Sequence, residues 1–470
     1  MKNNSFGKDL TEGSILKLII TFAMPLLIGN ILQLIQQIIN AFWIGRFLGT
    51  EAFSAVTLTF PVIFILLSFA IGISIAATAL VSQHKGAGSD NKMLEKIIEN
   101  SFLLTFLLSI LLSIVGIVFN KFILSLAVNP SKMPEVFNLA SGYLVVTLSG
   151  LVFMFGFNLI SALLRGLGDS WTPLKFLSLA VVLNLILDPL LILGLGFFPK
   201  MGINGSALAT IIAQIFSFVF ALNLLRKQGV LNIRNFWGFK FDFDLIKKLI
   251  IIGLPSGFQQ IIVSTGILLL TRIVAGFGIS TIAVFGIGSR FDSLCFMPSM
   301  AIGMAVTALT GQNLGAGKKD RILLTVRIAS ILTLAITFFV ISLCYLIPEQ
   351  IILFFLSNPS IPPDQLQLII AEGKAYLKIV SIGYIGVSLI FVTNGALQGA
   401  GDTIPPMIFA ILSFWLFRIP LAWFLSQYTG LQSSGIWLGT SIGFIISAIL
   451  SWLYFHFRPW ERKAAIKRLS

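Results

Sequence analysis

Asp188 sits in the run LNLILDPLLILGLG, with aliphatic residues on both sides and a proline immediately after it. A carboxylate embedded in apolar sequence is costly to bury, so an ionisable group in such a place is first read as functional. Asn184 precedes it by one helical turn on the same face, where its amide can share a proton or a small cation with the carboxylate. About seven apolar residues follow Asp188 before the next loop, roughly 10 Å of helix at 1.5 Å per residue, which argues against a helix-end aspartate. Pro189 removes a backbone donor and loosens the helix locally. If this span runs outward and the next returns inward, Thr210 lies at similar depth to Asp188, and so does Asn40 near the outer end of the first span. Asp188, Asn184, Asn40 and Thr210 are therefore the candidate ion-coupling residues, with H+ or Na+ as the ion and Asp188 as the centre of any Na+ site.

Other polar positions give weaker signals. Asn30, Gln33, Gln37 and Asn40 recur every three or four residues on one helical face. Such a stripe either lines a cavity or glues helices together, and the two uses weigh equally here. Met297, Met300 and Met304 form a second stripe, suited to a promiscuous binding surface or to ordinary packing. Arg418 lies close to the position in the second half that corresponds to Asp188, and either pairs internally or faces an acidic substrate. Gln33, Gln37, Met297, Met300 and Arg418 are the candidate cavity residues. Snorkelling or mutual pairing accounts for Arg290 and Asp292. Cys295 and Cys344 lack spaced partners and read as buried thiols, with no disulfide framework or zinc pattern.

Enzyme signatures are missing. GQNLGAGKK has neither the spacing nor the terminal Ser or Thr of a phosphate-binding loop, and HExxH and GxSxG do not occur. No catalytic residues and no cofactor are expected, which leaves movement of a solute driven by an ion gradient.

The elements that position these residues follow from composition. Hydrophobic residues make up 57% of the chain and charged ones 11%, against roughly 25% charged in an average soluble domain. Runs long enough to cross the bilayer, roughly 20 residues each, fall near residues 15–44, 52–82, 97–119, 134–164, 171–196 and 203–226. They recur near 245–275, 280–311, 322–347, 368–398, 404–427 and 432–456. The halves also repeat their punctuation. SQHKGAG returns as GQNLGAG at an offset of 229, RGLGDSWTP as QGAGDTIPP at 233, and Pro25 as Pro255 at 230. Internal repeats of this size in an apolar chain mark transporter folds. The expected organisation is an all-α integral membrane protein of twelve spans in two pseudo-symmetric six-helix lobes. The lobes are 1–228 and 249–456, joined by a cytoplasmic linker at 229–248 and followed by a basic tail at 457–470.

The net charge of +14 does not call for nucleic acid. Lys85, Lys92, Lys96, Arg226, Lys227, Lys318, Lys319 and Arg321 share one side with the basic tail, whereas the opposite side has only Arg46, Lys121, Lys132 and Lys200. This bias places both termini in the cytoplasm of a plasma (inner) membrane protein.

The run from Pro25 to Gly49, the GAG and GxGD turns, and LNLILDPLLILGLG followed by GINGSALAT resemble the multidrug and toxic compound extrusion (MATE) transporters, the bacterial DinF-like branch most of all. The resemblance covers essentially the whole chain. It implies export of amphipathic, often cationic compounds by proton or sodium antiport, with Asn40, Asn184, Asp188 and Thr210 at the ion site. INAFWIGRFLG departs from the pattern, carrying Asn40 where the family has aspartate, and PSGFQQIIV lacks the acidic residue found there in NorM-like members. A single carboxylate favours one proton over sodium. Pro25 is the expected hinge and a monomer the expected state. The alternative is a flippase for a lipid-linked or amphipathic lipid, disfavoured because only Arg418, Arg290 and Arg272 could line its cavity.

Overall fold

In a computed structural model, residues 7–126, 129–196, 198–227, 241–356 and 362–463 are described. Most of the expected linker, and the tail from residue 464, lie outside them. The described chain is helical: α1 (Ile15–Gly86), α2 (Asn91–Val118), α3 (Asn120–Ser125), α4 (Pro134–Ser149), α5 (Leu151–Gly166), α6 (Trp171–Leu193), α7 (Ile203–Lys227) and α8 (Phe243–Ala275) come first. Then follow α9 (Ile279–Gly315), α10 (Lys319–Leu346), α11 (Pro348–Phe355), α12 (Pro363–Ala400), α13 (Ile404–Ile411), a π-helical turn (Leu412–Arg418), α14 (Ile419–Tyr428) and α15 (Ser433–Phe457).

Among the described residues eleven apolar segments are long enough to span a membrane when the bent pair α4 and α5 is taken as one. At 72 residues α1 is far longer than one crossing, and its Gly49, at φ 85° and ψ −176°, divides it into two spans. The total is twelve, the expected number.

Two breaks within spans were not expected. The segment read as one span over 134–164 bends by 49° between α4 and α5. Gly150 sits at the bend with φ −92° and ψ 0°, outside the α-helical range, and a Cβ there would lie 2.3 Å from Ile211. The segment over 404–427 widens into the π turn ahead of Pro420. Proline lacks the N–H that would bond the carbonyl of Leu416 and crowds that carbonyl, so the ladder slips by one residue.

The repeated turns share one geometry. Gly88, Gly168, Gly317 and Gly401 have φ of 65°, 95°, 71° and 80°, the left-handed region that favours glycine. Asp169 N bonds Leu164 O and Asp402 N bonds Leu397 O, both at 2.9 Å, closing the helix ends with six-to-one bonds. Asp169 Oδ1 then accepts from the N–H groups of Trp171 and Thr172 at 3.0 Å, capping α6.

The chain forms two compact units, and they are not simply consecutive. The first comprises Met24–Gly257 with the residues up to Leu10, and the second comprises Thr11–Ala23 with Phe258 onward. The start of each repeat's first helix thus belongs with the other repeat. In the second unit Lys318 Nζ donates to Thr11 O at 3.0 Å, and Arg321 Nη2 donates to Gly13 O at 2.8 Å. In the first unit Asn100 Oδ1 accepts from Asp242 N at 2.9 Å, and Lys96 pairs with Asp242 at 3.7 Å. Further along, Gly72 of α1 and Gly253 of α8 pack backbone to backbone; a Cβ on Gly72 would lie 2.3 Å from Gly253 O. Each unit has its own apolar core. One is built around Leu144, Leu148, Leu151 and Phe155, the other around Tyr376, Tyr384, Ile436 and Trp437.

Candidate functional site

In the first unit α6 and α7 pack along their lengths, and their polar residues meet. Asn184 and Asp188 are wholly buried on one face of α6. Asn184 is the hub. Its Nδ2 donates to Thr210 Oγ1 at 3.1 Å and, at a long 3.4 Å, to Asp188 Oδ1, while its Oδ1 accepts from Gln36 Nε2 at 2.9 Å. Thr210 Oγ1 donates to Ser206 O, one turn back in α7, at 3.1 Å. Asn40 joins through Ser206, whose hydroxyl donates to Asn40 Oδ1 at 2.8 Å. Asp188 Oδ2 is buried without a hydrogen-bond partner. Buried polar atoms are nearly always satisfied, so an unpartnered carboxylate oxygen calls for an explanation.

The spacing of these residues is what α-helices require. Gln36 and Asn40, Asn184 and Asp188, and Ser206 and Thr210 are three pairs set four residues apart, one pair on each of three helices. Leu187 and Leu190 are half-buried beside Asp188, whereas Leu191 and Ile192 are buried. The carboxylate therefore stands in an apolar wall, softened only by the amide and hydroxyls. Such a group can take up a proton or a small hard cation reversibly.

Asn184, Asp188, Thr210 and Asn40 thus come together. Gln33 and Gln37 do not join them: both are exposed on α1, and Gln36, between them, makes the contact. Asn30 is half-buried with its Nδ2 unpartnered. Gln36 and Ser206 were missed by the sequence reading, although each lies four residues before a residue that it singled out.

In the second unit Met297 and Met300 are half-buried on α9. Asp292, on the same helix, does not pair with Arg290, which is exposed. Its Oδ2 accepts from Tyr376 at 2.8 Å, and its Oδ1 accepts from Tyr384, both on α12. Arg418 closes the π turn, 3% exposed, with its guanidinium over the rings of Phe414 (4.0 Å) and Phe444 (3.7 Å). Cys295 and Cys344 are free and buried. Among the described residues no cluster of three or more His, Cys, Asp or Glu side chains could hold a metal ion.

Twelve spans in two repeats, with the buried polar cluster around Asp188 in one of them, define a multi-pass membrane protein. The MatE family model matches residues 25–190 and 255–424, once in each repeat. The probable multidrug resistance protein YpnP of Bacillus subtilis is 31% identical over 454 residues, covering 96% of this chain and 97% of its own. The probable multidrug resistance protein NorM of Thermotoga maritima is 30% identical over 461 residues, covering 96% and 94%. A FAD transporter of Shewanella oneidensis is 30% identical over 317 residues, covering 66% and 68%. A MATE crystal structure in complex with MaL6 superposes with a TM-score of 0.87 at 23% identity over the whole of both chains. A Pyrococcus furiosus transporter of the MOP superfamily gives 0.86 at 24% identity, covering 97% and 99%. These two likenesses bear on the fold alone. The chain belongs to the MatE family of multidrug efflux transporters, a family of membrane carriers and not of enzymes.

Proposed function

We propose that this protein is a cation-coupled antiporter that exports small amphipathic compounds by alternating access, with Asp188 as the group that binds the incoming ion. The observation that carries this reading is Asp188 itself, wholly buried, held by Asn184 at 3.4 Å and with its second oxygen unpartnered. The proton is the favoured ion. Asn40 is neutral, so the cluster has one formal negative charge, which one proton discharges completely. Protonation would weaken the acceptor that Asn184 now serves, and Asn184 also holds Gln36 on α1. Ion binding is in this way transmitted to the helix that contains Pro25.

Coupling requires that the ion and the exported compound favour different conformations, since a ligand shifts an equilibrium only by its differential affinity for the two states. Pro25 is the proposed hinge: the chain passes from the second unit to the first between Ala23 and Met24. Gln33, Gln37, Met297 and Met300 are the proposed cavity residues. Both termini and the basic loops are placed in the cytoplasm, with the protein acting as a monomer in the plasma membrane.

The test is efflux of a fluorescent lipophilic cation from proteoliposomes under an imposed proton gradient and, separately, a sodium gradient. Gradient-dependent efflux that Asp188→Asn abolishes supports the reading and names the ion. Efflux by the variant at the wild-type rate refutes the role of Asp188. An absence of efflux under either gradient refutes drug antiport and turns attention to a lipid substrate.

A further inference from the structure

The offset between the repeats is 233 at the GxGD turn before α6 and 230 at Gly205 and Gly435 after it, so Arg418 stands within a few residues of the position that corresponds to Asp188. The two repeats therefore place opposite charges close to corresponding positions. In the first, an amide lies one turn below a carboxylate. In the second, an aromatic ring lies one turn below a guanidinium and stacks on it.

Arg418 is built in, not left over. Its guanidinium lies over the rings of both Phe414 and Phe444. Gly443 makes room for it, since a Cβ there would lie 2.8 Å from Arg418 Cβ and 3.3 Å from its Nε. Ser413 Oγ donates to Gly443 O at 2.7 Å and fixes that approach. Phe296 packs edge-on against both Phe444 and Tyr384, extending the aromatic wall.

The guanidinium is nonetheless unsatisfied. Its Nε and Nη2 are buried and make no hydrogen bond. Asp292 is near enough to feel its charge, but the two carboxylate oxygens take the hydroxyls of Tyr376 and Tyr384 instead. The ring contacts leave the Nε and Nη2 edge of the guanidinium without a hydrogen bond. That edge, with two adjacent N–H donors in one plane, matches the two oxygens of a carboxylate. A buried cation with unmade bonds at such an edge awaits an anionic partner. The π turn that ends at Arg418 takes the backbone out of α-helical register, and such turns recur at functional sites.

We propose that Arg418 is the docking group for a carboxylate on the transported compound, whose two oxygens the Nε and Nη2 edge of the guanidinium takes. The word "transported" rests on the antiport reading above; the binding site does not.

The probe is 2-naphthoate, with the neutral 2-naphthamide and chloride as controls, measured by calorimetric titration of the purified full-length protein in detergent. The expected result is saturable binding of naphthoate, at least tenfold weaker in Arg418→Gln and clearly weakened in Arg418→Lys, with little binding of the amide. Arg418→Lys keeps the charge but loses the planar fork, so it guards against a variant that fails to fold. Gly443→Ala, which crowds the guanidinium without changing charge, is expected to weaken naphthoate binding as well. Naphthoate binding that is absent, or equal in wild type and Arg418→Lys, overturns the proposal. Chloride that binds at Arg418 and excludes naphthoate makes it a free-anion site and overturns the substrate assignment. If naphthoate binds through Arg418 while neither ion gradient drives efflux, it is the antiport reading that fails.

Discussion

Replacing Asn184 with leucine should separate the polar cluster from the apolar packing around it. The side chains have similar volume and the position is wholly buried, so the change leaves little cavity. It removes three hydrogen bonds at once: the 2.9 Å bond from Gln36, the 3.1 Å bond to Thr210 and the 3.4 Å bond to Asp188. Thr210 keeps its bond to Ser206 O, and Gln36 is only half-buried and can turn towards other partners. Asp188 is left with only the Ser206 hydroxyl near it, and that hydroxyl already donates to Asn40. An orphaned buried group costs about 1–3 kcal/mol, and more if charged, so a loss of about 2–4 kcal/mol is expected for Asn184→Leu. Thr210→Val, which removes one neutral bond to Asn184 and the bond to Ser206 O, should cost about 1–2 kcal/mol. Thermal unfolding in detergent should rank the proteins wild type, then Thr210→Val, then Asn184→Leu. Gradient-driven efflux by Asn184→Leu should fall at least tenfold, since Gln36 no longer senses the ion site. Wild-type stability and wild-type efflux in Asn184→Leu would refute the idea that the cluster links the ion to α1.

Further outcomes follow from other parts of the molecule. Gly72→Ala places a Cβ 2.3 Å from Gly253 O, a backbone atom that cannot step aside, and should lower the unfolding temperature by an amount corresponding to about 1–3 kcal/mol. Asp292→Leu strips the acceptors from Tyr376 and Tyr384 and should destabilise by about 3 kcal/mol or more, whereas Asp292→Asn, which still offers one carbonyl oxygen, should cost less. Pro25→Ala restores a donor to Thr21 O and should raise the unfolding temperature, because proline inside a helix costs about 3 kcal/mol relative to alanine. The same variant should slow efflux if Pro25 is the hinge; faster or unchanged efflux would remove that role.

The spans and turns were legible because they rest on local rules. Apolar runs of membrane length and the glycines at Gly88, Gly168, Gly317 and Gly401 need no tertiary information, and all four turn glycines have positive φ. Asn184 and Asp188 were legible as a pair because helical spacing puts them together. What the sequence concealed depends on how helices rotate against each other. Gln36 and Gln37 are neighbours in the chain, yet only the packing of α1 decides which of them reaches Asn184. The partners of Asp292 lie 84 and 92 residues away on α12, out of reach of any local pattern. The exchange of the first helical stretches between units is equally non-local, although the matching prolines Pro25 and Pro255 marked where it happens.

In the proposed antiport, Asp188 exchanges an incoming ion for an outgoing compound. One charge entering across 100 mV, against an outgoing compound of no net charge, releases about 2.3 kcal/mol, enough to sustain roughly a 50-fold concentration gradient. The most direct measurement is therefore the ion itself: the internal pH of proteoliposomes, recorded as a transported compound is added on the side from which it is taken up, with internal sodium followed in parallel. The compound is expected to drive a counterflow of protons in wild type and none in Asp188→Asn. Transport with no counterflow of either ion, or counterflow that persists in Asp188→Asn, would contradict the proposed exchange.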